Sequence, residues 1–114
     1  MNFTEILLDT ARADTELLLA NDKRGDTLVT RRNVTFLLVA PDNDKALLVA
    51  NFVDDNRYGQ VAVENDQGKH SVYVQINMPI DQHIICCVSG LMACIAKIFE
   101  VEYKGWNSKV QRVG

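Results

Sequence analysis

The sequence predicts an α+β fold, with helices and strands arranged around one hydrophobic core. Three observations lead to this class. Apolar residues recur at helical spacing in three segments, alternating Val residues flank a Gly-containing turn, and a β-branched run precedes the second helical segment. The length of 114 residues and the hydrophobic content of 47% suit a single domain over residues 1–114.

The first helix is predicted from Thr4 to Asn21, a segment that contains neither Gly nor Pro. Gly25 comes soon after it as a stop signal, and its apolar positions are Ile6, Leu7, Leu17, Leu18 and Leu19. The next segment, Asp26 to Val39, is rich in β-branched residues. Because its end, from Val34 onwards, is apolar on both faces, we predict a central strand that is covered on both sides.

A second helix is predicted from about Asp44 to Asp55. Residues 41–44, Pro-Asp-Asn-Asp, offer turn and N-cap chemistry just before it. One apolar stripe is expected along this helix, formed by Ala46, Leu47, Ala50 and Phe52. Gly59 then separates the helix from the next strand.

A β-hairpin is predicted after the second helix. The turn signal at residues 65–68, Asn-Asp-Gln-Gly, lies between two segments of alternating apolar residues: Val61 and Val63 before it, and Val72, Val74 and Ile76 after it. Pro79 ends the second strand, because proline has no amide donor for a ladder and restricts the residue before it.

The last helix is predicted from Gln82 to Phe99, with Asp81 as its cap. Its apolar residues occupy more than one face, so it should be the most buried helix. A last strand is expected from about Val101 to Val110. The resulting order is a helix followed by β-α-β-β-α-β, which predicts a ferredoxin-like sandwich with a four-stranded antiparallel sheet and an extra N-terminal helix. Whether this helix or a partner covers the second face of the sheet is left open.

The charge balance argues against direct binding of nucleic acid. A net charge of −3 and a pI of about 5.2 provide no basic field for phosphates. No apolar run approaches the roughly 20 residues that span a bilayer, and the first twelve residues carry Glu5 and Asp9 where an export signal would be basic and then apolar. We therefore expect a cytoplasmic protein without a membrane segment.

The three cysteines predict neither a disulfide framework nor a metal site. Cys86, Cys87 and Cys94 cluster in one apolar segment, so we expect buried and reduced thiols. His83 and Cys87 have the i, i+4 spacing of two ligands on one helix face, but Cys94 lies about 10 Å further along the axis. We expect no metal and no cofactor.

Catalysis is not expected either. Ser89 and Gly90 lie in the middle of the last helix, without the strand-turn-helix G-x-S-x-G context that exposes a nucleophile. The chain has only two histidines to act as bases. The sequence therefore predicts a protein that is not an enzyme.

An RNA-recognition module is the main alternative, because such modules share the β-α-β-β-α-β order and stack bases on strand aromatics. Residues 69–76 lie on the corresponding strand, but only Tyr73 is aromatic there, and Ser71 and Ile76 stand at the other two positions. A structural or toxin-neutralising protein with an unknown target is a third class.

Residues 99–107, Phe-Glu-Val-Glu-Tyr-Lys-Gly-Trp-Asn, resemble a signature of the regulator of ribonuclease activity B family, F-[DE]-V-E-Y-D-G-W-[GN]. A Leu-Leu-Leu patch in the leading helix, a Gly-Asp before the first strand and Tyr58-Gly59 after the second helix extend the resemblance over about Arg12 to Lys109. It implies a bacterial, non-enzymatic regulator that binds the catalytic machinery or scaffold of endoribonuclease E and inhibits RNA decay.

The sequence departs from the family pattern at two places. Lys104 stands where the family tends to have Asp, and residues 109–114 stand where well-known members carry a long acidic tail. We expect any contact that such a tail makes with a basic ribonuclease surface to be missing from this chain.

The family-like motif is the predicted partner-binding surface, with Glu102, Tyr103, Gly105 and Trp106 as its residues. Strand alternation places Glu102 and Trp106 on one face and Tyr103 on the other. Trp106, the single tryptophan, is expected either to fill the core or to serve as a partly exposed anchor for a protein partner. The neighbouring charges favour the anchor.

Overall fold

A computed structural model describes residues 2–23 and 31–108 of the chain. The elements succeed one another as α1 (Phe3–Lys23), β1 (Arg32–Ala40), α2 (Asn43–Asp55), β2 (Gln60–Asp66), β3 (Lys69–Met78), α3 (Gln82–Phe99) and β4 (Glu102–Asn107). The four strands form one antiparallel sheet in the order β2-β3-β1-β4. This arrangement confirms the predicted α+β fold with an extra N-terminal helix.

Two of the helices begin at aspartate caps, as predicted. The Oδ1 atom of Asp42 accepts a hydrogen bond from the backbone N–H of Lys45 at 2.8 Å, and Oδ1 of Asp81 accepts one from that of Ile84 at 3.1 Å. These bonds satisfy amides that have no partner within the helix. The predicted apolar stripe of α2 is wrong at Leu47, which is exposed; the buried positions are Ala46, Val49, Ala50 and Val53.

The sheet is centred on β1, which pairs with β3 on one side and β4 on the other. Phe36 lies opposite Val74 on β3 and opposite Trp106 on β4. The predicted hairpin is present, and both of its turn residues, Gln67 and Gly68, have positive φ, as a two-residue type I′ turn requires.

The core fills the space between one face of the sheet and the helices α2 and α3. On β1 the even-numbered residues from Arg32 to Ala40 are buried, whereas the odd-numbered ones are half-buried or exposed. The prediction of a strand covered on both sides is therefore wrong. The second face of β1 is shielded only in part.

The extra helix α1 packs against α3, on the helical side of the sheet, so α1 is not what covers the second face. Gly90 permits the approach, since a Cβ atom there would lie 3.1 Å from Cδ2 of Leu7. Because α3 is enclosed by the sheet and α1, residues on more than one of its faces are buried.

By length and mean hydropathy, 1.7 over its 18 residues, α3 would also suit a membrane span. Its packing between α1 and the sheet accounts for part of this composition, because the faces that a core helix buries are apolar, while Ile84 and Ile98 are exposed. β4 ends at Asn107, so the predicted last strand is wrong at Ser108, which lies outside the strand. Residues 109–110 of that prediction, and residues 26–30 of the predicted first strand, lie outside the described part of the chain.

Candidate functional site

A bulge in β4 determines which side chains of the family-like motif lie inside the protein. Tyr103 pairs with Leu38 and Gly105 pairs with Leu37, so Lys104 is one residue too many for the ladder. Gly105 adopts a φ of +98°, which glycine tolerates best. Tyr103 and Trp106 consequently share the face that points to the helices. The predicted simple alternation, with the two on opposite faces, is wrong.

Trp106 is buried, with 7% of its surface exposed, and its indole is tied to the leading helix. Its Nε1–H donates a hydrogen bond to Oδ1 of Asp14 at 2.9 Å. The expectation of a partly exposed tryptophan is therefore wrong, because the bulge turns the ring inward. Its role in partner binding stays a prediction.

Asp14 is the centre of a buried hydrogen-bond cluster that joins α1, α3 and β4. The hydroxyl of Ser89 donates to the same Oδ1 at 2.9 Å, and it also lies 2.6 Å from the hydroxyl of Tyr103. Since the single proton of Ser89 is given to Asp14, the Tyr103 hydroxyl donates to Ser89. We call these four residues, Asp14, Ser89, Tyr103 and Trp106, the Asp14 cluster.

The electrostatics of the cluster are governed by its burial. Loss of solvent raises the pKa of Asp14 above its ordinary value, while the hydrogen bonds from Ser89 and Trp106 oppose that rise. Burial also raises the pKa of Tyr103, so its hydroxyl keeps its proton. The pKa of the nearby Cys86 is raised as well, first by burial and then by the negative charge of Asp14.

One atom of the cluster is left unsatisfied. Oδ2 of Asp14 is buried, and it has no hydrogen-bond partner among residues 2–23 and 31–108. Both donors approach Oδ1, so the second oxygen carries unscreened negative charge when the group is ionised. A bare carboxylate oxygen in such a place is costly unless a donor or a cation reaches it.

A cavity of about 530 Å³ adjoins the cluster between α1 and β4. It is open to solvent, and its walls come from two short stretches: Asp9, Thr10, Ala13, Asp14, Glu16 and Leu17 on α1, and Tyr103, Lys104 and Gly105 on β4. A volume of this size lies within the range of about 300–1,000 Å³ typical of ligand sites. The candidate site is therefore the cavity together with the Asp14 cluster behind it.

The predicted partner-binding residues divide between the rim, the wall and the interior of this site. Glu102 is exposed, and its Oε1 lies 2.7 Å from the ammonium of Lys104. Tyr103 and Gly105 line the cavity, and Trp106 lies behind it. The structure thus brings the motif to one place, while its binding role stays a prediction.

Sequence reasoning missed Asp14 and Ser89, although each carried a signal. Asp14 lies three residues after Ala11 and four before Leu18, and hence on the apolar face of α1. Ser89 lies four residues after the buried Ile85. A polar residue at a buried helical position needs a hydrogen-bond partner, and that requirement could have identified both Asp14 and Ser89 as members of a buried polar site.

The thiols differ from expectation. Cys87 is exposed, and Cys86 and Cys94 are half-buried, so the prediction of buried thiols is wrong for Cys87 and only partly met by the others. All three are unpaired in the structure, and their reduced state in solution stays a prediction. Within residues 2–23 and 31–108, no group of three or more His, Cys, Asp or Glu side chains is placed to hold a metal.

The cluster lacks the arrangement of an activated nucleophile. Ser89 is fully buried and gives its proton to a carboxylate, and neither histidine belongs to the cluster. The cluster can instead fix α1 against β4 and present a carboxylate beside the cavity.

The open face of the sheet offers little for base stacking. Tyr73 lies there beside Leu37 and Ala62, and it is the single aromatic residue of that face within the four described strands. RNA-recognition modules stack bases on two or three aromatics in this position.

Fold and site together define a small α+β protein in which a buried carboxylate joins a leading helix to the last strand beside a surface cavity. The sequence matches the regulator of ribonuclease activity B family over residues 11–108, and the chain belongs to that family. The match includes all four members of the Asp14 cluster and confirms the resemblance first seen in residues 99–107. A comparison with curated proteins finds no match.

Proposed function

We propose that this protein is a non-enzymatic regulator that binds endoribonuclease E and inhibits it, and so slows RNA decay in the bacterial cytoplasm. One observation carries the proposal: the family match runs from Ala11 in α1 to Ser108 after β4 and thus includes every strand of the sheet. Members of this family regulate ribonuclease activity, which suggests a ribonuclease as the protein partner.

The surface formed by α1 and β4 is the proposed contact. The Asp14 cluster holds these two elements together, so a partner would meet a rigid surface. Glu102 is exposed at its edge, and Tyr103 and Gly105 line its cavity. In this arrangement Trp106 supports the surface from behind instead of contacting the partner.

Charge favours a protein partner over RNA. A net charge of −3 repels phosphates and suits a basic protein surface. The open sheet face carries Tyr73 as its one aromatic residue within the described strands. The family match therefore has more physical support than the RNA-recognition alternative.

The proposal is tested with purified endoribonuclease E and a fluorogenic single-stranded RNA. We expect the initial cleavage rate to fall in a saturable way as this protein is added, and calorimetry to show direct binding without RNA. An unrelated endoribonuclease should keep its rate. If the protein binds the RNA substrate but not the enzyme, the RNA-recognition alternative is correct and the proposal is wrong.

A further inference from the structure

The cavity between α1 and β4 has a strongly acidic lining. Asp9 and Glu16 are exposed on α1, and Asp14 lies deeper between them. Among the described residues of the lining, Lys104 is the one cation, and Glu102 compensates it across 2.7 Å. The charge that an occupant meets is therefore negative.

Asp14 adds a second and independent observation. The residue is 2% exposed and lines the cavity, and its Oδ1 already accepts from Ser89 and Trp106. Its buried Oδ2 has no partner in the part of the chain that the structure describes. A buried carboxylate oxygen without a donor is rare, because leaving it unpaired costs free energy. A positive charge held in the cavity beside Asp14 would offset this unpaired negative charge.

We propose that this cavity binds the guanidinium group of an arginine side chain carried by a protein partner, with the carboxylate of Asp14 as the negative charge at its inner wall. The chemistry rests on the cavity alone. Only the identity of the partner rests on the proposed function.

The lining fits arginine better than lysine. A guanidinium has five N–H donors in one plane, so it can lie beside Asp14 while it donates to the carboxylates of Asp9 or Glu16 at the rim. It is more weakly hydrated than an ammonium and stacks against aromatic rings such as that of Tyr103. Ala13 and Leu17 provide apolar contact for the aliphatic stem.

The test uses the indole N–H of Trp106 as a reporter. Because the chain has one tryptophan, a ¹H–¹⁵N spectrum contains one indole signal. The indole proton that gives this signal is hydrogen-bonded to Oδ1 of Asp14. A blocked Gly-Ser-Arg-Ser-Gly peptide is titrated into the full-length protein. We expect a saturable shift of the indole signal and no shift with the same peptide carrying citrulline, which has the shape of arginine without its charge. A lysine peptide should bind more weakly.

Two variants locate the site. Asp14→Asn keeps an amide oxygen for the two donors but removes the charge, so the arginine peptide should bind at least about tenfold more weakly. Asp66→Asn is the matched control, since it makes the same change on the exposed end of β2, at the opposite edge of the sheet, and affinity should stay unchanged. If Asp14→Asn does not fold, the double variant Asp9→Asn with Glu16→Gln alters only exposed rim carboxylates and should weaken binding several-fold.

Equal binding of the citrulline or lysine peptide, or unchanged affinity in both the Asp14 and the rim variants, would overturn the guanidinium site. Its failure can be told apart from that of the proposed function. Inhibition of endoribonuclease E by a wild-type protein that shows no Asp14-dependent binding of the arginine peptide would reject the site and keep the function. Asp14-dependent binding of the arginine peptide without inhibition would do the reverse.

Discussion

Trp106 and Asp14 are 92 residues apart in the chain, yet the indole Nε1–H of the one lies 2.9 Å from Oδ1 of the other. This hydrogen bond connects the last strand to the leading helix, and Ser89 adds the central helix through the same oxygen atom. The first helix, the last helix and the last strand therefore meet at one carboxylate.

Substitution of Asp14 should destabilise the protein according to what replaces the carboxylate. Asp14→Ala leaves the buried donors of Ser89 and Trp106 without their acceptor, and we expect a loss of about 2–4 kcal/mol in the free energy of unfolding. Asp14→Asn retains an oxygen acceptor and should cost clearly less. Urea unfolding monitored by circular dichroism measures both, and equal losses would contradict the proposed hydrogen bonding.

The pH dependence of stability should show the raised pKa of Asp14. The folded protein holds this proton more tightly than the unfolded chain, whose ordinary value is 3.8. As pH falls from above the folded pKa towards 3.8, the wild type should therefore gain stability relative to Asp14→Asn. Below 3.8 both states are protonated and the difference should level off.

The measurement is the difference between the unfolding free energies of wild type and Asp14→Asn at each pH. Other carboxylates contribute equally to both proteins and cancel. A difference that falls as the pH is lowered would mean that the carboxylate is stabilised in its charged form, in conflict with a raised pKa.

Trp106 should behave as a core residue. Trp106→Ala removes a buried ring and should cost about 3–5 kcal/mol, whereas Trp106→Phe keeps most of the apolar contact and loses only the donor to Asp14, for about 1–2 kcal/mol. Thermal unfolding and affinity for endoribonuclease E are measured together. A Trp106→Ala variant with unchanged stability but much weaker binding would identify Trp106 as a surface anchor and contradict its observed burial.

Gly105→Ala should disturb the bulge. At a φ of +98° a Cβ atom strains the backbone even though nothing lies within 4 Å of it, so we expect a loss of about 1–3 kcal/mol. Gly68→Ala, at a φ of +77° in the β2–β3 turn, is the matched control with equally open space. Both should lower stability, but only Gly105→Ala should change the fluorescence of Trp106 in the folded protein.

Local rules explain why much of the fold could be predicted. The start of α3 coincides with the prediction because Asp81 caps its first turn. Gln67 and Gly68 form the expected two-residue turn because it needs positive φ values, which glycine adopts without strain. Each of these signals lies within a few residues of the structure that it specifies.

The candidate site could not be predicted in the same way, because it depends on contacts between distant segments. Nothing near Asp14 in the sequence reveals that Ser89, 75 residues away, is its donor. The predicted faces of Tyr103 and Trp106 were wrong because an alternation rule assumes an unbroken ladder, and the register shift at Leu37 and Leu38 breaks it.

The bulge also makes β4 tolerant of a change in chain length at one point. Lys104 is the additional residue and is exposed, so a chain that lacked it would form an unbroken ladder. Tyr103 and Trp106 would then stand two positions apart and still share the inner face. The glycine between them would lose its need for a positive φ. In evolutionary terms, the gain or loss of a single codon at this position can leave the interior unchanged. An insertion that the strand did not absorb as a bulge would instead turn the indole of Trp106 towards solvent.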